Sequence, residues 1–263
     1  MSYEYLLATT AERVCRITLN RPEVHNAFNR ELIEELKAAF EELATRPVGD
    51  VRAVVLSGAG KSFCAGADVN WMRASLDYTQ AENVADAMSM ARMFDTINRC
   101  PVPVIGRIHG AALGGGVGLA SVCDIVVASE ETRFAFSEAK LGIAPAVISP
   151  YVLAKVGRSH ARALFLTAER FGVERALRIG LIHIACPLDE LDAEVDRIIK
   201  EIKSSAPGAI ARAKALIATV PDLEPATAMQ MTAETIASLR VGEEGQAGLR
   251  AFLDKHPAPW IED

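Results

Sequence analysis

The stretch from His109 to Asp124, HGAALGGGVGLASVCD, constrains this chain more than any other. Val104, Ile105 and Ile108 before it read as a buried strand. Gly110, Gly114, Gly115, Gly116 and Gly118 then replace side chains with bare backbone before a helical run begins. Glycine inside a helix costs about 0.8–1.0 kcal/mol relative to alanine, so packing it at a helix start makes sense where the free N–H groups of the first turn are wanted. Something must approach the main chain closely there, and such a terminus favours negative charge.

The same grammar occurs earlier in the chain. Residues 13–19, RVCRITL, alternate as a strand, and RPEVHNAFN after them reads as a turn. Leu32, Ile33, Leu36, Phe40 and Leu43 then recur at helical spacing, with Asn29 as N-cap and Pro47 and Gly49 as the stop. Residues 51–57 form a second buried strand, followed by the loop GAGKSFCAGAD and a short helix around Val69–Ala74. Residues 81–98 place Val84, Met88, Ala91, Phe94 and Ile97 on one helical stripe, and PVPVIGRIH returns as a strand into the glycine-rich segment. Two units of strand, glycine turn and helix predict neighbouring parallel strands whose C-terminal ends present both turns on one side, where α/β folds bind ligands. DIVVA (124–128) and RFAF (133–136) read as further short strands, and SEAKLGIAPAVISPYVLAKVG as a loop passing into a helix. From Asp189 onward the pattern is helical, with breaks at Pro207, from Pro221 to Pro225, and at Gly242. This predicts a separate helical domain whose Ala209, Ala213, Leu216, Met229, Met231 and Ile236 could cover a partner subunit as readily as their own core.

Several function classes drop out. GAGKS at 58–62 is not a phosphate loop, because Val55 stands where that motif needs its first glycine. A dinucleotide fingerprint fails at Phe63 and again at Leu119. There is no GxSxG elbow, and His25, His109, His160, His183 and His256 show no ligand spacing, so no metal site is expected. Cys15, Cys64, Cys100, Cys123 and Cys186 are odd in number and widely spaced, which suits reduced buried thiols. A formal charge of −6 argues against nucleic acid as the main partner. No apolar run approaches the ~20 residues of a membrane span, and MSYEYLLATTAERV lacks the features of a signal peptide, so a soluble cytoplasmic protein is expected.

RPEVHNAF, SFCAGADV, HGAALGGGVGLASVCD and SEAKLG, in this order and spacing, resemble the enoyl-CoA hydratase/isomerase, or crotonase, superfamily over essentially the whole chain. AGADVNWMR (65–73) and SEAKLGIAPAVISPYV (137–152) look most like the bacterial methylglutaconyl-CoA hydratases. The resemblance implies an α/β fold, a crotonase-type spiral of ββα repeats over residues 1–195 carrying the CoA-thioester site, and a C-terminal helical oligomerisation domain over 196–263. It also implies a homo-oligomer, a trimer or a dimer of trimers, and a lyase with no cofactor beyond the CoA of its substrate.

The chemistry implied is addition of water across the double bond of a 2-enoyl-CoA, with negative charge gathering on the thioester oxygen. By motif, two backbone N–H groups would receive that oxyanion, those of Ala67 in AGAD and of Gly115 in LGGG, next to Gly114. Glu138 matches one of the two glutamates that activate water in the resembling hydratases, and its apolar neighbours favour a raised pKa. The other glutamate falls at position 118, which here is Gly118. Glu138 alone, or with His109, Ser149 or Tyr151, must then handle both protons, and Gly118 is expected to enlarge the acyl pocket for a branched group. An isomerase needs only one base and is the first alternative; a non-catalytic CoA-thioester binding protein is the second. The turn at Val24, His25 and Ala27 and the loop at Ala65, Asp68, Val69 and Asn70 would hold CoA largely through backbone. Phe252 and Lys255 resemble the C-terminal helix that reaches the nucleotide in the family, and Arg73 is the candidate partner for a distal substrate carboxylate.

Overall fold

The computed structural model describes residues 3–261. Its centre is a six-stranded sheet made of β1 (Leu6–Ala11), β2 (Val14–Leu19), β3 (Ala53–Gly58), β4 (Val104–Ile108), β6 (Ile125–Ser129) and β9 (Ile184–Cys186), in the order β1-β2-β3-β4-β6-β9. From β2 to β9 neighbouring strands are parallel, and β1 closes one edge antiparallel to β2. A second sheet, β5-β7-β8, is formed by β5 (Ala111–Leu113), β7 (Arg133–Ala135) and β8 (Arg170–Gly172). Val54, Val55 and Leu56 of β3 are buried in succession, the pattern of a parallel strand covered on both faces. The hairpin strand β1 escapes the sequence reading, because only its first residue, Leu6, is buried and the rest offers no apolar alternation.

Helices lie on both sides of the large sheet. The helix α1 (Arg30–Thr45) turns Leu32, Ile33, Leu36, Ala39, Phe40 and Leu43 inward, and the Asn29 side chain accepts from the Leu32 N–H at 2.9 Å, as its sequence predicts. After α2 (Val69–Ser75), α3 (Gln80–Asn98) starts with a Thr79–Glu82 capping box and buries Met93, Phe94 and Ile97. The stripe expected along α3 stops halfway: Val84 and Met88 are exposed, while Met93, Phe94 and Ile97 in the second half are buried. The glycine-rich run becomes α4 (Gly115–Val122), entered from β5 rather than directly from β4. Next come α5 (Ser149–Thr167), α6 (Val173–Arg178) and α7 (Leu191–Lys203).

Val195, Ile198, Ile199 and Ile202 of α7 pack with Val14, Val55, Ile105 and Val127 of the sheet. The expected boundary at 195/196 therefore falls inside a helix that belongs to the core, and the change of character comes after Lys203. There the wholly buried Arg52 donates from Nη2 to the carbonyls of Lys203, at 3.1 Å, and Ser205. Beyond it α8 (Pro207–Thr219), α9 (Pro225–Val241) and α10 (Glu243–Leu253) bury no residue, and their limits follow Pro207, Pro225 and Gly242. All five cysteines are buried and unpaired, and burial pushes the Cys64 and Cys123 thiols up to about 12. Among the described residues, no helix is long and apolar enough to cross a membrane.

Candidate active site

The register of β3 with β4, Val54 opposite Val104 and Leu56 opposite Gly106, sends both glycine-bearing loops out of the same sheet edge. Beyond it the loops stay paired. Cys64 donates its N–H to Ala111 O at 3.0 Å, and Leu113 returns one to Cys64 O at 3.0 Å. On the other flank Ala65 N donates to His25 O at 3.0 Å and Phe28 N to Gly66 O at 2.7 Å. Three segments thus form one ladder: 25–28, 63–68 and 109–115.

Two glycines make the close approach possible. Gly66 has φ +92°, and a Cβ there would lie 2.8 Å from Leu113 O and 3.7 Å from Gly115 N, so the two loops meet at bare backbone. Gly114 has φ +50° and caps α4, turning the chain so that Gly115 is the first residue of the helix, with an N–H that the helix itself leaves unused. The N–H of Ala67 carries no ladder bond either: Gly66 O and Asp68 N on either side of it make the bonds to Phe28.

Glu138 enters from the second sheet. β5 and β7 run parallel, Leu113 opposite Ala135, and Gly114 N donates to Ala135 O at 2.8 Å. Three residues later Glu138 opens a single 3-10 turn, and its Oε1 lies 3.2 Å from where a Gly114 Cβ would stand. Its Oε2 is buried with no hydrogen-bond partner. Burial pushes the carboxyl above the ordinary glutamate range, against a smaller opposing effect of its own backbone N–H. Arg133, one candidate for a neutralising partner, is turned instead to the carbonyls of Glu131 and Thr132.

These groups share a cavity of about 280 Å³. Ala65, Gly66, Ala67, Gly114, Gly115, Ser137 and Glu138 form one side; Trp71, Met72, Met90, Leu141, Ile143 and residues 144–148 form an apolar wall. A larger groove of about 600 Å³ between the β1–β2 hairpin and α7 shares no residue with it. The cavity suits an apolar acyl group with a polar reacting end, where two N–H groups and one protonatable carboxylate converge. Its wall is the part that sequence reasoning missed. The loop IAPAVI carries the signal, an apolar run directly after SEAK.

Other expected site residues fall elsewhere. Gly118 is off the cavity wall: a Cβ there would collide with Ile148 Cγ2 and lie 2.9 Å from Phe94 Cζ. The space a larger side chain would need is filled, so this glycine lets the wall residue Ile148 seat on α4 and does not enlarge the pocket. Asp68 is buried and engaged, accepting from Asn70 N at 2.7 Å and from Arg21 Nη2 at 2.9 Å. Burial alone would raise that carboxyl, but these partners outweigh it and hold it low. It serves as the N-cap of α2, and its side chain is not available to a ligand. Arg21 also donates to Ala27 O at 2.6 Å, and the buried Asn26 donates to Ala59 O and Ser62 O, both at 2.8 Å. The Val24–Ala27 turn is thereby braced, with His25 in the left-handed region and its Nδ1 3.1 Å from Ser62 Oγ.

Val69 and Asn70 are exposed at the start of α2, and Arg73 is exposed off the wall. His109 Nε2 lies 2.8 Å from Gly60 O, Ser149 donates to Ala146 O at 2.7 Å, and the Tyr151 ring packs 6.0 Å from Phe94; none of the three lines the cavity. Phe252 and Lys255 are exposed at the end of α10, outside the wall formed by this chain.

The sequence matches the family model described as enoyl-CoA hydratase/isomerase over residues 9–263. A crystal structure of an enoyl-CoA hydratase from Shewanella pealeana superposes with a TM-score of 0.93 at 38% identity, covering 98% of this chain and 96% of that one. AtuE of Pseudomonas aeruginosa gives 0.95 at 34% identity, covering 98% and 100%. The crotonyl-CoA hydratase of Syntrophomonas wolfei is 30% identical over 263 residues, 99% of each chain. Fold, paired loops and sequence agree from end to end: the chain belongs to the enoyl-CoA hydratase/isomerase family.

Proposed function

We propose that the protein catalyses reversible addition of water across the double bond of a 2-enoyl-CoA, with Glu138 as the acid/base and the N–H groups of Ala67 and Gly115 as oxyanion donors. The observation that carries this reading is Glu138 itself: a carboxylate with one buried, unpartnered oxygen, set against Gly114 beside the free N-terminus of α4. The thioester oxygen sits between the two N–H groups. Water attacks C3 as Glu138 takes its proton, the π electrons move to the thioester oxygen, and Glu138 returns the proton to C2 on the same face. The positive end of the α4 dipole favours the enolate.

The apolar wall favours a hydrocarbon acyl group, and the resemblance to methylglutaconyl-CoA hydratases suggests a branched one. A terminal carboxylate, as in 3-methylglutaconyl-CoA, meets no cation on the wall among the described residues and would have to reach the mouth of the cavity, where Arg73 is the candidate partner. CoA is held along the Val24–Ala27 and Ala65–Asn70 backbone, with Phe252 and Lys255 supplied across a subunit boundary. The exposed apolar residues of α8–α10, among them Ile217, Met229, Val241 and Phe252, are covered in a homo-oligomer, a trimer or a dimer of trimers.

The test is incubation of crotonyl-CoA, 3-methylcrotonyl-CoA and 3-methylglutaconyl-CoA in heavy-oxygen water, with mass spectrometry of the thioesters. Labelled hydroxyacyl product from the native protein and none from Glu138→Ala is expected. One observation favours a second reading, double-bond isomerisation: Gly118 leaves a single carboxylate. A 3-enoyl-CoA converted without label would establish it.

A further inference from the structure

Hydration requires the attacking water to be held as well as deprotonated, and one carboxylate oxygen fixes it along one direction only. In this cavity the second anchor cannot come from position 118, which Ile148 and Phe94 have closed, nor from His109, Ser149 or Tyr151, which are off the wall. Among the described residues lining the cavity, only Ser137 and Glu138 carry a hydroxyl or carboxyl group. The one other polar side chain, the Trp71 indole, donates to Asp86 Oδ1 at 3.3 Å. Ser137 directly precedes Glu138 at the head of the 3-10 turn, and its hydroxyl caps no backbone N–H of that turn. By contrast, Ser75 donates to Met72 O, Ser121 to Val117 O and Ser149 to Ala146 O. A polar side chain left uncommitted in a largely apolar cavity, directly before a carboxylate with one unpartnered oxygen, marks a place for a polar ligand shared by both.

We propose that Ser137 is the second anchor of the attacking water. The inference rests on the hydratase reading. Glu138 accepts the O–H whose proton is transferred, and the Ser137 oxygen accepts the O–H that stays. The water oxygen is thereby aimed at C3 while its C–O bond forms, and the retained O–H becomes the product hydroxyl. Atoms balance without any further reactant, since the proton taken by Glu138 is the one delivered to C2. Ser137 is a positioning residue for water and has no part in removing a proton from C2.

That division gives the test. Exchange of the C2 protons of butyryl-CoA with heavy water needs Glu138 and the oxyanion donors but no added water, whereas hydration of crotonyl-CoA needs all of them. Ser137→Ala is expected to lower kcat for hydration about tenfold, with KM and the exchange rate changed by less than about twofold. Ser137→Thr, which keeps the hydroxyl, is expected to restore most of the loss. Hydration and exchange falling together would overturn the proposal by making Ser137 a support for Glu138, as would hydration unchanged in Ser137→Ala. Native protein that exchanges butyryl-CoA protons yet adds no labelled oxygen to any enoyl-CoA would defeat the hydratase reading itself, and this inference with it.

Discussion

Glu138 shows how one side chain couples stability to chemistry. Burial raises its pKa, so the folded protein holds that proton more tightly than the unfolded chain does. The favourable contribution is complete below the unfolded pKa and is lost as pH rises through the folded one; at neutral pH the ionised carboxylate opposes folding. Glu138→Gln should therefore melt at a higher temperature than the native protein at neutral pH, and show no such gain at a pH below the ordinary carboxylate range. The same variant should lose about 10²–10⁴-fold in kcat. Thermal unfolding at the two pH values, beside steady-state hydration, checks both. For the native enzyme kcat/KM should fall on the acid side with an apparent pKa above the ordinary glutamate value of about 4.3, because only the ionised form activates water. Gly118 makes the opposite point, as a residue whose importance is packing. Gly118→Glu should destabilise by about 1–3 kcal/mol or more through overpacking against Ile148 and Phe94, without improving hydration. Denaturant titration of Gly118→Glu alone and combined with Ile148→Ala measures this, with part of the loss expected back in the double variant.

Among the elements, α4 carries the site at its N-terminus and is held at its other end by a half-buried lysine. Lys155 of α5 donates from Nζ to Ala120 O, at 3.4 Å, and to Cys123 O, so the last carbonyls of α4 meet a cation. Burial lowers the pKa of this lysine. Lys155→Met keeps the length of the side chain and removes the donor, and should cost about 1–3 kcal/mol through unsatisfied carbonyls. If the cap also holds the Gly115 N–H in register, kcat falls while KM stays near its native value; calorimetry and kinetics on one variant read both. Arg52 does similar work on α7, where core gives way to the outer helices. At the end of α7 the Ser204 and Ser205 N–H groups serve Lys200 O, Glu201 O and Ile202 O locally, and Arg52 takes the carbonyls of Lys203 and Ser205 beyond them.

At the scale of the molecule, the outer helices α8–α10 expose apolar side chains, with Ile217 76%, Val241 79% and Phe252 80% exposed. A homo-oligomer covering this face predicts that Ile217→Asp combined with Val241→Asp shifts the protein to a smaller species in sedimentation velocity. It should also become more soluble as that species than the native chain would be if dissociated. If Phe252 and Lys255 reach the CoA of a neighbouring subunit, the same variant raises KM for acyl-CoA more than it lowers kcat.

The sequence by itself determined the order of strands and helices wherever burial leaves a period: α1 with its Asn29 cap, the paired strands β3 and β4, and the helix limits at Pro207, Pro225 and Gly242. It also marked the two glycine loops, because close backbone approach leaves a local signature, whereas Glu138 was picked out by the resemblance of SEAKLG to the family. Short or half-covered pieces such as β1, β5, β8 and β9 left too little pattern to read, and Val84 and Met88 carried a helical stripe that stays exposed. Tertiary structure alone decided what depends on residues far apart in sequence. Ile148 and Phe94 closed the space beside Gly118, Arg21 engaged Asp68, Gly60 took His109, and Ser137 was left uncommitted beside Glu138 on the cavity wall. Spacing along the chain reports which backbone is helical or extended and which face is apolar; who fills a given volume, and which polar groups remain free in it, is settled only when distant segments pack against one another.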